Sequence, residues 1–505
     1  MASEFLLGID AGTSLIKAAV FTLVGEEVGS AERETPVISP YIGWAESDMG
    51  AVWQAARAVI PEALANAGVS GDAVAALGVT GQMVGAWLID GDGQPVRRAI
   101  LWCDGRAQGL IDRLSAEQPG FLSTIFDSSG SAMQQGCTLP VLRWLLEHEP
   151  ETLARARHVL CCKDWLVYNL TGTIQLDPAE VSVMPGSTRD RDLSEAMIDL
   201  FGLRGLRSLF PDTRPAENIA GGLLPGVAQA LGMRAGIPVA VGTGDVLATV
   251  IGAGVVTPGT AVSLLGTNYL NCLVTAEPIF EPRDVGVMFC PPAGGWLRAM
   301  LNVSGTTSLD WLIEQFFAAE WAEAGSNAAL FAKLEQMAKA SGLGARGVLY
   351  LPYLSAQGIT APVYEPNARA EFYGLSLEHT RADMLRAVYE GLALSIRDGY
   401  ACIPAQINEI RLTGGTARSD FFCQLVADAT GKRVTRPQAS QFGARGAALL
   451  AAVGIGVYAS ISDAVERTPL PAQTFAPNPA NAAQYDVVYA RYVKLRTALM
   501  NVWRA

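Results

Sequence analysis

Two stretches roughly a domain's length apart share one construction, and that recurrence limits the fold more than any other feature of the chain. Near the start, FLLGIDAGTSLIKAAVF (residues 5–21) reads as two apolar strands pinched around a Gly12-Thr13-Ser14 corner. Asp10 stands alone at the end of the first strand, and Lys17 lies in the second. Further on, PGTAVSLLGTNYLNCLV (258–274) repeats the pattern around Gly266-Thr267-Asn268. Strand-like and helix-like segments alternate throughout, which predicts the α/β class. At 505 residues the chain also exceeds what one hydrophobic core usually serves. We therefore expect two halves of similar build, residues 1–248 and 249–505. A chain with 52 glycines produces some such echoes by chance, so the recurrence needs support from other features.

Charge and cysteine usage narrow the function. Half the residues are apolar and 17% are charged, as in a well-buried globular protein. A formal charge of −12 argues against a nucleic-acid or anionic-membrane binder, which needs clustered Lys and Arg. It leaves room for a phosphorylated small ligand held by backbone amides. Eight cysteines, scattered singly apart from Cys161-Cys162, with three histidines and no CxxC spacing, disfavour a zinc site or a Cys/His nucleophile and predict reduced thiols. MASEFLLGID carries an acid where a signal peptide carries basic residues, and the longest apolar run, GAALLAAVGIGVYAS, is short and broken by glycine. A cytoplasmic protein without a membrane span is expected.

Several segments predict defined elements. SDMGAVWQAARAVIPEALANAG (47–68) has helical periodicity, with Ser47 or Asp48 as cap and Gly68 as stop. PVLRWLLEHEPETLARA (140–156) reads as a helix. RADMLRAVYEGLALSIRDGYACI (381–403) places Met384, Leu385, Val388, Tyr389, Leu392 and Ile396 on one helical face. IRLTGGTARSDFFCQLVADATGKRV (410–434) reads as strand, double-glycine corner, helix capped by Ser419 or Asp420, and strand.

Chemistry concentrates in the corners. Gly12-Thr13-Ser14, Gly266-Thr267 and Gly414-Gly415-Thr416 are candidate phosphate cradles, because glycine admits a phosphate to the backbone and a hydroxyl adds a neutral donor. An ordinary hairpin or left-handed turn is the commoner use of such a corner. GxxxxGK[ST] does not occur. Asp10 stands where a ligand of magnesium-bound water would stand if phosphates sat on its turn. Asp245, in VGTGDVLA, suits a general base taking a proton from an attacking hydroxyl; a helix N-cap is the structural alternative, and both readings stay open. Gln82, Met83 and Trp102, at strand-end corners, suit the polar groups and flat wall of a sugar or polyol pocket, or are simply core. Asp104 and Arg106 read as a structural pair.

In order along nearly the whole chain, these motifs resemble the FGGY carbohydrate kinases. GIDAGTSLIK resembles the first phosphate motif; GWAESDMGAVW, GVTGQMVGAWLID, AILWCDGRA, KDWLVYNLTGTIQLD and GTGDVLATVIGAG resemble later N-domain segments. SLLGTNYL is similar to the second phosphate motif, and AEFYGLSLEHTRADMLRAVYE (370–390) fits the C-terminal signature. LTGGTARSDFFCQLVADATGKRV and FGARGAALLAAVGIGVY resemble the adenosine region. The resemblance implies two ribonuclease H-like domains of the actin/hexokinase/Hsp70 ATPase type, with a sugar and ATP bound in a central cleft. It implies Asp245 as general base and Asp10 as the carboxylate near Mg2+. It further implies Thr13, Ser14, Lys17, Gly266, Thr267, Gly414, Gly415 and Ser419 around ATP, and Gln82, Met83, Trp102 and Asp245 around the sugar. A homodimer is compatible with the family.

The chain departs from the family pattern mainly on the sugar side. Val84 replaces the His usual after QM in xylulokinases, SAQGITAP (355–362) lacks the Glu and Arg of SGERTP, and Val141 replaces a signature Lys. TLVGEE resembles erythritol kinases and WAESDM resembles L-xylulose kinase. The resulting expectation is an ATP-dependent kinase of a pentulose such as xylulose, with a polyol such as erythritol or glycerol as alternative. An actin- or Hsp70-like ATPase, or a sugar sensor without catalysis, is the alternative from another class.

Overall fold

The structure, a computed structural model, describes residues 4–504. The chain forms two compact units. The first comprises the chain up to Val256 with Met288–Leu297 and Ala439–Leu470; the second comprises Thr257–Val287, Arg298–Gln438 and the chain from Pro471 on. Each unit is thus built from several stretches, whereas the division into 1–248 and 249–505 assumed one crossing. The physical reason lies in how the first sheet is covered.

That sheet has the order Glu27–Glu34, Leu15–Thr22, Phe5–Ala11, Val74–Gly81, Pro238–Ala240, Ile219–Gly222, with Thr243–Gly244 also pairing to Val74–Gly81. Phe5–Ala11 lies antiparallel to Leu15–Thr22 and parallel to Val74–Gly81. Side chains alternate between the faces of a strand. Leu7, Ile9 and Ala11 accordingly join a core with Val52, Ala56, Val59 and Ile60 of the helix Met49–Ala67. Asp48 caps that helix, accepting from the Ala51 N–H at 3.0 Å, and Gly68 ends it at φ 65°.

The opposite face carries Leu6, Gly8 and Asp10, and it is covered by the helix Phe442–Gly454. A β-carbon on Gly8 would lie 1.9 Å from the Ala444 carbonyl oxygen, and one on Gly78 would lie 1.8 Å from that of Ala447. Gly8 and Gly78 are paired in register, so together they form a bed in which the helix backbone rests directly on the sheet. The helix Asp245–Gly252 packs alongside in the same way. A β-carbon on Gly446 would meet the Ala248 oxygen at 1.9 Å, and one on Gly252 the Phe442 oxygen at 1.9 Å. A segment from late in the chain therefore completes the first unit.

The second unit repeats the scheme. Thr260–Leu265 lies antiparallel to Tyr269–Thr275 and parallel to Glu409–Gly414, which in turn lies parallel to Val434–Pro437. Both recurring stretches are hairpins, as their shared construction predicts, and the first strand of each also has a parallel neighbour. The helix Arg381–Ala401 runs through this unit's core, and its apolar face is as expected apart from Met384, which is only half-buried. Its other side is buried too, where Glu390 accepts from Arg386 Nε at 2.7 Å and from the Tyr485 hydroxyl at 2.8 Å. Ser419 caps Asp420–Thr430 and Gly431 ends it. The single helix expected over 140–156 is two, Thr138–His148 and Pro150–Arg155, because Pro150 cannot continue the first and instead starts the second.

Candidate active site

In the first unit the site forms where strand ends meet the N-terminal ends of two helices. Asp10 occupies the penultimate position of its strand, and period two turns its carboxylate toward the helix Phe442–Gly454. A β-carbon on Gly443 would lie 2.2 Å from Asp10 Oδ2, so glycine there leaves the carboxylate its space. Among the described residues no donor hydrogen-bonds to Asp10, and Lys17, its cross-strand neighbour, is the one cation acting on it. Lys17 itself reaches Glu32 at 3.8 Å. Desolvation raises the Asp10 carboxyl to about 6, with Lys17 opposing the shift.

Asp245 is the first residue of its helix, one place after the capping Gly244, so the N-cap alternative is not realised. Its Oδ1 accepts from the Val246 N–H at 2.8 Å. Desolvation, with the Asp10 charge adding to it, raises this carboxyl to about 7. Met83 seals one side: a β-carbon on Gly244 would fall 2.3 Å from Met83 Cγ. Gln82 is buried, its N–H donating to the Ala11 oxygen at 2.8 Å while its side-chain Oε1 has no partner. Trp102, half-buried, donates from Nε1 to the Thr13 hydroxyl at 2.9 Å, which ties the expected sugar wall to the expected phosphate corner. Ser14 is exposed beside them. Asp104 and Arg106 do pair, at 2.8 Å, and Arg106 also reaches Glu46 at 2.8 Å. All eight cysteines are free thiols.

Two elevated carboxyls set a pH dependence. A carboxyl raised in the folded state binds more protons there than in the unfolded chain, so its contribution to stability is present below its ordinary value of 3.8 and is lost as pH rises toward the folded value. In chelator, the wild-type melting temperature should therefore fall, relative to that of an Asp10→Asn/Asp245→Asn variant, between pH 3.8 and about 7. A constant difference measured by calorimetry across that range would contradict the assignment.

In the second unit, Gly266 and Thr267 form an exposed corner, held as Gly305 N–H donates to the Thr267 oxygen at 2.8 Å and Thr306 N–H to the Gly266 oxygen at 3.1 Å. Gly414, at φ 95°, abuts Leu265 and is exposed together with Gly415. The Tyr269 hydroxyl joins the two corners by donating to Thr416 Oγ1 at 3.2 Å. Ser419 uses its hydroxyl as helix cap and as donor to Glu335 at 2.6 Å.

Sequence reasoning missed a buried ionic group behind Asp245. Lys163 pairs with Asp164 and, at 2.9 Å, with Asp177; Asp177 accepts from the Thr243 hydroxyl at 3.0 Å. Thr80 donates to the Thr243 oxygen at 2.6 Å, and Glu180 accepts from the Val84 N–H at 3.1 Å. The signal available was a Lys-Asp pair set between Cys161-Cys162 and Trp165-Leu166-Val167, an apolar run in which a solvated face cannot form.

No group of three or more His, Cys, Asp or Glu side chains among the described residues is arranged to hold a metal ion. Nor is any described helix long and apolar enough to cross a membrane.

Comparison with known proteins covers the same ground. Residues 5–252 match the N-terminal domain, and residues 261–455 the C-terminal domain, of the FGGY family of carbohydrate kinases. An erythritol kinase of Brucella abortus is 32% identical, over 99% of this chain and 97% of its own. An L-xylulose/3-keto-L-gulonate kinase of Escherichia coli is 30% identical, over 98% and 97%. The crystal structure of xylulose kinase from Rhodospirillum rubrum superposes with a TM-score of 0.88 at 27% identity, covering 99% of this chain and all (100%) of that one.

Proposed function

Because the chain belongs to the FGGY family of carbohydrate kinases and is an ATP-dependent sugar phosphotransferase, we propose that it transfers the terminal phosphoryl group of ATP to a hydroxyl of a pentulose such as xylulose. The observation that carries this reading is Asp245, a desolvated carboxyl at about 7 with Met83 against its turn and Asp10 acting on it. Charged, it takes the proton of the attacking hydroxyl as the O–P bond forms, and the leaving oxygen departs with the nucleoside diphosphate. Phosphoryl transfer asks chiefly for positioning and charge neutralisation, so a site without His or Cys suffices.

Asp10 supports the Mg2+ part of this reading. One undonated, half-buried carboxylate fits an ion that keeps most of its waters and takes the rest of its ligands from phosphates. Bound there, the ion would neutralise phosphate charge. Thr13 and Ser14 would line the first phosphate corner with Lys17 nearby, and Gly266 and Thr267 the second. Gly414, Gly415 and Ser419 would hold the adenosine. Gln82, with its unpartnered Oε1, Met83 and Trp102 would face the sugar.

A four-carbon polyol is the second reading, supported by the erythritol kinase relative and by Val84, which supplies no side-chain hydrogen bond where a ketose pocket would gain one. A coupled assay of ADP release over D-xylulose, L-xylulose, erythritol and glycerol tests both, with phosphorus NMR of the product. Xylulose is expected to give the highest kcat/KM; a preference for erythritol would install the second reading.

A further inference from the structure

Behind the Asp245 turn, the short segment Asp177–Glu180 sends a carboxylate to each of two turns. Asp177 Oδ2 accepts from the Thr243 hydroxyl at 3.0 Å, two residues before Asp245. Glu180 Oε2 accepts from the Val84 N–H at 3.1 Å, one residue after Met83. Val84 has φ 52°, the left-handed region, where a β-branched residue is strained and must be held by its surroundings. The held turn is the one that lays Met83 against Gly244.

We propose that Glu180 is a positioning residue: by holding the Val84 N–H it fixes the turn carrying Met83 at its working distance from the turn carrying Asp245. Glu180 is fully buried, and among the described residues it has no ion-pair partner. The groups around it are Lys163, Asp164, Asp177, Cys161 and Cys162, and Lys163 is taken up by Asp164 and Asp177. Three carboxylates sharing one lysine out of water favour keeping one of them protonated. Burial, with Asp177 and Asp164 adding to it, accordingly holds Glu180 well above its ordinary 4.5. A neutral carboxyl can be imitated by an amide, which accepts the same N–H.

The inference rests on the sugar-kinase reading only for its kinetic arm. Hydrogen exchange of peptides spanning Gly81–Trp87 needs no substrate. Glu180→Ala should speed exchange of the Val84 amide about tenfold or more, and Glu180→Gln should keep it slow. With D-xylulose and ATP, Glu180→Ala should raise the sugar KM about tenfold and leave the ATP KM within about twofold, and Glu180→Gln should recover most of that loss. Should the alanine variant not fold, the glutamine variant decides alone. Its melting temperature should gain on wild type as pH rises from 4.5, because wild type then bears the growing cost of an ionised or strained carboxyl. Unchanged exchange in Glu180→Ala, a Glu180→Gln protein as impaired as Glu180→Ala, or a melting difference independent of pH would each overturn the proposal. Absence of turnover with every sugar, alongside the expected exchange and melting results, would overturn the substrate reading and leave the positioning role standing.

Discussion

Asp245→Asn is expected to lower kcat for sugar phosphorylation by about 10²- to 10⁴-fold, the usual worth of a general base. The substitution is clean: the Asn side-chain oxygen can still accept from Val246 N–H, so the helix start is kept while the basic lone pair is lost. ATP affinity, followed by titration with a fluorescent nucleotide, should change less than about threefold, since the corners proposed to hold the phosphates and adenosine are untouched. The pH profile supplies a second reading of the same group. The base must be charged to act, so kcat/KM should climb with pH and level off above about 7. Asp10 and Asp245 interact, so the measured value belongs to the pair. A variant retaining more than a tenth of wild-type turnover would place the base elsewhere.

The second large effect is structural. Gly446→Ala should cost about 3 kcal/mol or more and lower the melting temperature by about 6 °C or more. Its β-carbon would sit 1.9 Å from the Ala248 oxygen and 2.6 Å from its carbonyl carbon, both backbone atoms that cannot rotate aside. Helix Asp245–Gly252 would be pushed from its seat, and Asp245 with it, so residual activity should fall further than stability alone explains. Gly226→Ala is the matched control: nothing lies within 4 Å of its β-carbon and its φ is not positive, so the same change there should be neutral or mildly stabilising. Calorimetry on the pair checks the claim, and equal melting temperatures would refute it.

What could be read from the sequence was local. Strand–corner–strand stretches declare themselves through apolar runs and a glycine break, so both hairpins and the isolated Asp10 were visible. The caps at Asp48 and Ser419 follow from short-range hydrogen bonding and were visible for the same reason. Helix Phe442–Gly454 was legible only as a short apolar run broken by glycine, not as part of the first unit. Its partners Gly8 and Gly78 match it only by lacking side chains, which leaves no pattern to follow across so many intervening residues. Pro150 was in plain view and under-weighted, since the apolar periodicity on either side suggested continuity. Glu180 and Lys163 were hidden by a sound habit: charged residues in a helical stretch usually face water. Only the packing shows that these do not. The left-handed Val84 has no sequence signal at all, because a glycine would be expected at such an angle.

The glycine bed also bears on how the protein is made. Until the ribosome has added residues 442–454, Leu6, Ala19, Phe21 and Ala76 lack their partners Ala444, Ala448 and Leu449 on that face of the first sheet. The nascent first half must wait with that surface only partly covered while Thr257–Val287 and Arg298–Gln438 are synthesised, and the second unit in turn awaits the chain from Pro471 on. Maturation is therefore gated by the last part of translation, and the period of greatest exposure to chaperones falls in mid-synthesis.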